Sequence, residues 1–318
     1  GANTPIVSIF GKSWDMHVTE IIKTTLEENL QMITDTIKYF VSQGKEVFFD
    51  AEHYFDGFKN NEKYALEVVK TAEAAGASRI VLCDTNGGCF PDEIFEITKK
   101  TIEALKAPVG IHCHNDMDCA VANSISAVKA GALQIQGTFI GIGERCGNAN
   151  LSSIIPSLCL KQGYECEKIK NLSALTKTAR YIAEVSNVIL SDNKPYVGKS
   201  AFAHKGGMHV DGVNKNPKSF EHIPPELVGN ERNFLLSEVS GRTVILSKLS
   251  AIAPELTKDS PETKEIIELL KEKEYKGYQY EAAEASFELL VKKHLKKLSS
   301  FFEIEYFKVI GEKSGEKQ

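Results

Sequence analysis

The sequence has little of what marks a membrane protein or a nucleic-acid-binding protein. No apolar run approaches the roughly 18 residues that a transmembrane helix needs, so we predict no bilayer span. Basic residues number 38 against 43 acidic ones, a net charge of −5, and no run of Lys and Arg offers the charge that nucleic acid or an anionic membrane surface requires. With 42% hydrophobic and 25% charged residues, the composition is that of a soluble globular protein.

The cysteines lack the pattern of a disulfide framework. There are seven of them, an odd number, unevenly spaced in a chain of 318 residues that is long enough to build its own core. Reduced thiols and a cytoplasmic location are therefore expected. The chain opens at Gly1 without a basic-then-apolar leader and enters a strand-like segment almost at once, so we expect that it starts in mid-fold.

Short apolar runs alternate with amphipathic segments over the first half of the chain. The clearest helix begins with a capping box at Thr25 and Glu28 and ends at Gly44. Strand-like and helical segments alternate in this way along the first half of the chain, as in βα units with a parallel sheet. The alternation predicts an α/β fold of the (β/α)8 TIM-barrel type. Strands are predicted at 6–10, 46–50, 79–83, 109–113 and 133–138, and helices at 25–43, 61–75, 91–105 and 117–130.

Five strands are fewer than the eight of a complete barrel, and the regular alternation stops near residue 150. We therefore predict that residues 1–165 are the C-terminal part of a barrel that lacks its first three strands. Residues 166–300 are predicted to form a mainly helical subdomain, and residues 301–318 to begin a further domain with a strand over 301–310.

Polar side chains follow the predicted strands where each one ends. Asp50 and Glu52 end one strand, Thr85 follows the next, and His112 and His114 end a third. In a parallel barrel such ends meet on the face where active sites are built. Side chains two apart on a strand point to the same side, so the two histidines can face one ion. A metal site is the favoured interpretation, and a purely structural role for the pair is the alternative.

The segment 141–148, with the sequence GIGERCGN, supplies an acid, a base and an amide on a glycine loop. Its Gly-x-Gly is a weak nucleotide signature, because no completed motif opens a helix there. Alone it would pass for a turn. Beside the histidines, Asn148 can bring a neutral oxygen ligand and Glu144 a carboxylate. Two imidazoles with oxygen donors suit zinc, manganese or magnesium without choosing among them.

Six separate motifs together closely resemble the family of citramalate and isopropylmalate synthases, with homocitrate synthase as a more distant member. The resemblance covers nearly the whole chain, and the amino-acid sequence at 50–57 and 196–211 is most similar to the citramalate synthase branch. The motifs are 10–17 (FGKSWDMH), 50–57 (DAEHYFDG), 82–87 (LCDTNG), 111–116 (IHCHND), 141–148 (GIGERCGN) and 200–209 (SAFAHKGGMH).

The resemblance implies a Claisen condensation, in which the deprotonated methyl group of acetyl-CoA adds to the ketone of a 2-oxo acid and the thioester is hydrolysed to release CoA. With pyruvate the product is citramalate, an early step of isoleucine biosynthesis. The resemblance also implies a divalent metal cofactor that polarises the ketone, acetyl-CoA as co-substrate, and a homodimer.

The motifs carry the family's functional residues onto this chain. His112, His114 and Asn148 match metal ligands, and Glu52 and Thr85 match substrate-contacting positions. Two further residues match catalytic positions: Glu144, an acid near the metal, and His209, which is assigned to proton transfer near acetyl-CoA in the helical subdomain.

Two departures qualify the resemblance. An Asp-x-x-x-Arg-Asp segment, which in these enzymes donates a metal-binding Asp and a catalytic Arg, does not precede Ile6. Phe220 stands where the family usually has Tyr, and a phenyl ring neither donates nor accepts a proton. We therefore expect the chain as written to lack essential N-terminal residues. The segment after residue 300 resembles only the start of the family's regulatory domain.

Three alternatives remain open on the sequence. The first is 2-isopropylmalate synthase activity with 2-oxoisovalerate. The second is a carbon–carbon lyase on the same barrel, which the synthase-like loop at 141–148 and the long segment 190–300 disfavour. The third is a catalytically incomplete fragment that binds metal weakly and serves as a structural partner.

Overall fold

The computed structural model describes residues 3–166, 169–234, 242–280, 283–298 and 302–311. They divide into two compact units. The first comprises Gly1–Ala201 with Pro225–Glu231, and the second comprises Phe202–Pro224 with Arg232–Gln318. Domain boundaries at 165 and 300 stay predictions from the sequence.

A parallel sheet forms the centre of the first unit. Its strands are hydrogen-bonded in chain order, and their register places Asp50 opposite Phe10 and His112 opposite Cys83. Consecutive parallel order with intervening helices is the arrangement of a (β/α)8 barrel wall, so the predicted fold class is confirmed. The strands are β1 (Ile6–Lys12), β2 (Glu46–Glu52), β3 (Arg79–Asp84), β4 (Val109–Cys113) and β5 (Gln134–Gln136).

Helices return the chain between the strands and cover one face of the sheet. Alternate strand residues such as Phe49, Leu82 and Ile111 are fully buried in the cluster that these helices complete. Burying each such side chain contributes about 1.5 to 3 kcal/mol. The helices of this unit are α1 (Leu26–Ser42), α2 (Tyr54–Asn60), α3 (Glu62–Ala75), α4 (Pro91–Ala104), α5 (Ala120–Ala130), α6 (Leu151–Pro156) and α7 (Leu175–Val185).

The start of α1 shows how closely local signals predicted the elements. Thr25 caps the helix, since its hydroxyl accepts a hydrogen bond from the Glu28 backbone N–H at 3.1 Å. The predicted helix at 117 begins instead at Ala120, because Asp118 takes a left-handed conformation with φ of 57° and turns the chain. Strand β5 ends at Gln136, before its predicted end at 138, and the next residue, Gly137, lies so close to Ala149 that an added Cβ would be 2.5 Å from the Ala149 carbonyl oxygen.

The second unit is mainly helical, as predicted. Its core contains Val210, Leu249, Ile266 and Phe287, all at most 1% exposed. Its elements are β6 (Ala203–His204), α8 (Gly207–Lys215), β7 (Asn233–Phe234), α9 (Arg242–Ile252), α10 (Pro261–Tyr275) and α11 (Glu284–His294), and β6 pairs with β7 in parallel.

The prediction of a strand over 301–310 is wrong for the part that the structure describes. Residues 302–311 have no regular secondary structure, and apolar side chains such as Phe302 and Val309 are exposed. An isolated strand has no hydrogen-bonding partner to stabilise it. Among the described residues no helix is long and apolar enough to cross a membrane.

Candidate active site at the carboxyl ends of the strands

Backbone hydrogen bonds hold the 141–148 loop against the end of β4. The Ala149 N–H donates to the Cys113 carbonyl at 2.9 Å, and the Asn115 N–H donates to the Gly147 carbonyl at 2.9 Å. His114 and Asn148 form a bridge between them. Two segments far apart in sequence are thereby fixed side by side, and Asn148 lies beside His112 on β4 and His114 just after it, as predicted.

Two glycines allow the loop to fold this tightly. A Cβ at Gly143 would lie 2.1 Å from the Asn148 Nδ2 atom, so any side chain there would displace the amide. Gly147 has a φ of 95°, and its added Cβ would lie 2.0 Å from the Gly141 carbonyl oxygen. The position of Asn148 therefore depends on glycine at both places.

His112 faces Asn148 with an unusual pair of atoms. The His112 Nε2 atom lies 2.9 Å from Asn148 Oδ1, and His112 Nδ1 lies 2.9 Å from Gln136 Oε1. The Asn148 Nδ2 group donates to the Ile142 carbonyl at 3.2 Å, which fixes Oδ1 toward the imidazole. A neutral imidazole that donates through Nδ1 has only a lone pair on Nε2. Two lone pairs then meet at hydrogen-bond distance.

A positive charge between these two atoms removes the repulsion. Either Nε2 carries a hydrogen that it donates to Asn148 Oδ1, or a cation lies between the lone pairs. Neighbouring ligands of an octahedral ion bound at about 2.1 Å are roughly 3 Å apart, and the observed separation is 2.9 Å. His112 and Asn148 therefore fit a divalent ion.

His114 lies in the same cluster but makes a different contact. Its ring centroid is 5.2 Å from that of His112. Its Nδ1 atom accepts a hydrogen bond from Arg145 Nη2 at 2.9 Å, because a guanidinium can only donate. Among the described residues no group of three or more His, Cys, Asp and Glu side chains is arranged to hold a metal ion. The contact of His114 with a metal stays a prediction.

Arg145 ties three segments of the site together. Its guanidinium donates to both carboxylate oxygens of Asp116, at 2.7 and 2.9 Å, and to the Thr85 carbonyl at 2.8 Å. Bidentate pairing of this kind is directional as well as charged. The hydrogen bond from Arg145 holds the pKa of Asp116 below its ordinary value. Arg145 thus joins the ends of β3 and β4 to the 141–148 loop.

Burial shifts two further groups of the site toward their neutral forms. It lowers the pKa of His114, and the neighbouring His112 and Arg145 lower it further. Burial raises the pKa of Asp50, against hydrogen bonds from Gln136 and Ser8 that favour the carboxylate. A neutral imidazole is the form that binds a metal ion.

The two predicted substrate-contacting residues lie at the ends of their strands. Glu52 forms an ion pair with Lys12 across the β1–β2 pairing. The Thr85 hydroxyl accepts a hydrogen bond from the His53 backbone N–H at 2.8 Å. Both side chains have protein partners in this structure, and contact with substrate stays a prediction for each.

The two predicted catalytic residues are placed differently. The Glu144 side chain is 83% exposed, and its carboxylate lies 3.9 Å from Arg145 Nη1. His209 belongs to the second unit, where it is exposed on α8 and stacks on Phe220 with ring centroids 4.2 Å apart. Their catalytic roles stay predictions.

A cluster of rings at the ends of β1 and β2 received no role from the sequence. The His17 and His53 ring centroids are 4.1 Å apart, and Trp14 stacks on His17. Burial, and then the neighbouring His53, lowers the pKa of His17. These residues stand in two of the six motifs, so their motif membership was the available signal. Gln136 and Arg145 were missed as well, although Arg145 stands in the loop motif.

A cavity of about 320 Å³ adjoins the 141–148 loop within the first unit. Val188 to Leu190 and the cationic Lys194 line it together with the loop. Its volume is at the small end of the range for ligand pockets. A polar cluster and a cavity therefore share one loop.

Comparison with known families decides the class of the protein. A family model described as HMGL-like matches residues 1–182. The chain belongs to the HMGL-like family. A second model, described as homocitrate synthase post-HMGL domain-like, matches residues 196–277. The main segment of the first compact unit ends at Ala201. The HMGL-like match ends before this boundary, and the second match begins five residues before it.

Curated relatives extend the comparison to almost all of this HMGL-like chain. It is 54% identical over 310 residues to the (R)-citramalate synthase of Aquifex aeolicus, covering 97% of this chain and 59% of that protein. It is 49% identical to the (R)-citramalate synthase of Geobacter sulfurreducens, covering 100% and 60%. A probable 2-isopropylmalate synthase of Methanopyrus kandleri is 36% identical, covering 87% and 54%. The chain thus spans about three fifths of the length of the citramalate synthases it matches.

Solved structures support the fold. The HMG-CoA lyase of Bacillus subtilis superimposes with a TM-score of 0.52 at 19% identity, covering 58% of this chain and 65% of that one. The HMG-CoA lyase of Brucella melitensis gives a TM-score of 0.50 at 16% identity, covering 58% and 68%. At this identity the likeness shows the shared barrel architecture alone.

Proposed function

We propose that the protein catalyses the condensation of acetyl-CoA with pyruvate and water to give citramalate and CoA. Two curated (R)-citramalate synthases support this, at 54% and 49% identity over nearly the whole chain. The reaction forms one carbon–carbon bond between the acetyl methyl group and the pyruvate ketone, and water then cleaves the thioester. It would supply isoleucine biosynthesis with a branched precursor.

The contact between His112 and Asn148 carries the proposal on the structural side. With His112 as the Nδ1–H tautomer, the Nε2 lone pair and Asn148 Oδ1 are two acceptors 2.9 Å apart, a separation that a shared divalent ion would fit. The residues that would hold a divalent ion are His112 and Asn148, with His114 as the third. A bound zinc, manganese or magnesium ion supplies Lewis-acid polarisation of the ketone.

The chain's own residues would then position the substrate and move protons. Glu52, paired with Lys12 at the end of β2, and Thr85 at the end of β3 are proposed to contact the 2-oxo acid. His209 is proposed to move the acetyl-CoA methyl proton, since imidazole is suited to general base catalysis near neutral pH. Glu144 is proposed as a second acid of the site.

Phe220 qualifies the role of His209. The phenyl ring stacks on the imidazole but has no hydroxyl group to join a proton transfer. His209 would therefore act through water, or with less assistance than in enzymes that have Tyr at this position.

A second candidate is 2-isopropylmalate synthase activity. The relative of Methanopyrus kandleri at 36% identity favours it, and the lower identity makes it the weaker candidate. The two oxo acids differ by a small apolar group, and one methylene discriminates substrates by only about 1 to 3 kcal/mol.

The decisive assay measures CoA release from acetyl-CoA with pyruvate or with 2-oxoisovalerate, using the protein at its full natural length. We expect release with pyruvate at a kcat/KM at least tenfold above that with 2-oxoisovalerate. The reverse preference would establish the second candidate. Release with neither oxo acid, in a protein that binds a divalent ion, would contradict both candidate activities.

We further propose a cytoplasmic homodimer whose ligands are small molecules, with neither nucleic acid nor a membrane as partner. The net charge of −5 supports the absence of a nucleic-acid surface. Light scattering of the purified protein tests the dimer, and a monomeric mass would contradict it.

A further inference from the structure

Beyond its contact with Asn148, the His112 ring is held by a hydrogen-bonded chain that the sequence motifs did not indicate. Gln136 Nε2 donates to Asp50 Oδ1 at 3.0 Å, and Gln136 Oε1 lies 2.9 Å from His112 Nδ1. His112 and Gln136 stand on the paired strands β4 and β5, and Asp50 stands on β2, which β3 separates from β4. The three side chains point to the face of the sheet opposite the helices.

The direction of each hydrogen bond in this chain is determined by its first member. Asp50 Oδ1 accepts, whether the carboxyl group is ionised or carries its proton on the other oxygen. Gln136 must then turn its Nε2 group toward Asp50 and its Oε1 atom toward the imidazole. An amide oxygen only accepts, so His112 must carry a proton on Nδ1. The remaining nitrogen, Nε2, faces Asn148.

We propose that Gln136 is a positioning residue that acts through Asp50 to fix His112 as the Nδ1–H tautomer, which leaves the Nε2 lone pair available to a divalent ion. This inference rests on the proposed metal site and deepens it. Metal-binding histidines usually donate their second ring nitrogen to a fixed acceptor, and loss of such an acceptor typically lowers metal affinity about 10- to 100-fold.

Gln134 provides a matched control on the same strand. It is two residues before Gln136, so its side chain points to the same face of the sheet. Its Oε1 atom is buried without a hydrogen-bond partner among the described residues. Gln134→Met and Gln136→Met therefore remove the same amide from the same strand, and only the second removes a contact with His112.

The test measures two quantities in the full-length protein. The first is the His112 tautomer, from the ring 15N chemical shifts of the metal-free protein near neutral pH. The second is the affinity for Mn²⁺ or Zn²⁺, by calorimetric titration. We expect the Nδ1–H form in the wild type and in Gln134→Met. In Gln136→Met we expect a shift toward Nε2–H and a loss of metal affinity of at least tenfold.

A compensating pair sharpens the test. In Asp50→Asn the new amide can present either its oxygen or its nitrogen to Gln136, so the chain loses its direction and the tautomer becomes mixed. Adding Gln136→Glu to Asp50→Asn restores a group that only accepts beside His112. We expect this double variant to recover the Nδ1–H form and metal affinity at or above that of the wild type.

The outcomes separate this inference from the proposed function. If the wild type binds a divalent ion and Gln136→Met binds it equally well with the tautomer unchanged, the role of Gln136 is wrong and the proposed function stands. An Nε2–H tautomer in the metal-free wild type would also overturn the inference. If the wild type binds no ion, the proposed function fails, while the 15N shifts still show whether Gln136 sets the tautomer.

Discussion

The ends of the parallel strands in the first unit and the surroundings of His209 in the second unit position histidines in different ways. His112 contacts Gln136 on one side and Asn148 on the other, each at 2.9 Å, and both partners are held by further hydrogen bonds. His209 stands exposed on α8 and is held by a stacked phenyl ring 4.2 Å away. His112 therefore has a partner at each ring nitrogen, whereas the described contact of His209 is with the face of its ring.

The difference separates the two roles we propose. A metal ligand needs a lone pair that points in one direction, and the hydrogen-bonded chain from Asp50 through Gln136 gives His112 that direction. A residue that moves protons exchanges its own proton with substrate or water, so a ring contact that leaves the nitrogens accessible suits it. In the second unit, the charged hydrogen bonds are made by Glu221, which follows Phe220 in the chain.

Glu221 anchors the segment that carries Phe220. Its side chain is 2% exposed, and Arg232 donates to both carboxylate oxygens at 2.6 Å. His204 Nε2 lies 3.1 Å from the same carboxylate. Burial would raise the pKa of Glu221, but the hydrogen bonds from Arg232 and His204 prevail and hold it below its ordinary value.

The largest effect in the comparison is expected for His112→Ala. Removing the imidazole takes away one of the two atoms between which a cation fits, so binding of Mn²⁺ or Zn²⁺ should fall at least a hundredfold and CoA release should be lost. Calorimetric titration measures the affinity. His294→Ala is the control, because His294 lies on α11 beside Glu265 in the second unit. Metal binding by His112→Ala that equals the control would remove His112 from the site.

The next effect is expected for Gly143→Ala. The added Cβ would lie 2.1 Å from Asn148 Nδ2, so the amide must move away from His112. We expect metal affinity to fall about 10- to 100-fold, with circular dichroism unchanged. The matched control is Gly88→Ala, because a Cβ at Gly88 meets nothing within 4 Å. Unchanged affinity in Gly143→Ala would show that Asn148 does not contribute.

Glu221→Gln is expected to change metal affinity less than the two preceding variants and to lower the stability of the fold. Removing the charge leaves Arg232 and His204 without the buried carboxylate, and breaking a buried pair costs about 3 to 5 kcal/mol. Thermal unfolding followed by fluorescence measures the loss, while metal affinity should stay within twofold of the wild type. Glu284→Gln is the exposed control, since Glu284 is 76% exposed. Equal melting temperatures for the two variants would contradict the anchoring role.

The pH dependence of stability follows from the same group. Because the folded-state pKa of Glu221 is lowered, its stabilising contribution is present above the pKa of the unfolded chain and is lost as pH falls through the folded-state value. Acid should therefore lower the melting temperature of the wild type more than that of Glu221→Gln. Parallel acid profiles for the two proteins would contradict this assignment.

The smallest structural effect is expected for Phe220→Tyr. The phenol can keep the ring stacking on His209 and adds a hydroxyl group at an exposed edge, so the melting temperature should hardly change. We expect kcat for CoA release to rise severalfold with KM unchanged, because the hydroxyl group can assist proton transfer. A kcat equal to that of the wild type would show that the missing hydroxyl group does not limit the reaction.

The sequence predicted the parts of the molecule that depend on local pattern. Strands β1 to β4 begin at their predicted residues, because buried parallel strands are short apolar runs bounded by polar residues. Helix α2 was missed, because it follows β2 after a single residue, His53, whose left-handed backbone no motif announced. The placement of Asn148 beside His112 was predicted from two separate motifs, although the two residues lie 36 positions apart in the chain.

The contacts of the site could not be predicted to the same depth. Gln136 is one of two glutamines on the three-residue strand β5, and its contact with His112 depends on the register between β4 and β5. Arg145 takes a positive φ of 52°, which turns its side chain toward Asp116 and His114. Register and backbone turns of this kind arise from tertiary packing, so spacing along the chain does not reveal them.

The most direct test of the account is a crystal structure of the protein grown with Mn²⁺ or Zn²⁺ and measured at the metal's absorption edge. The account predicts one anomalous peak bonded to His112 Nε2 and Asn148 Oδ1, at about 2.0 to 2.2 Å. A map without a peak at this position, with His112 Nε2 and Asn148 Oδ1 still in direct contact, would contradict the proposed metal site.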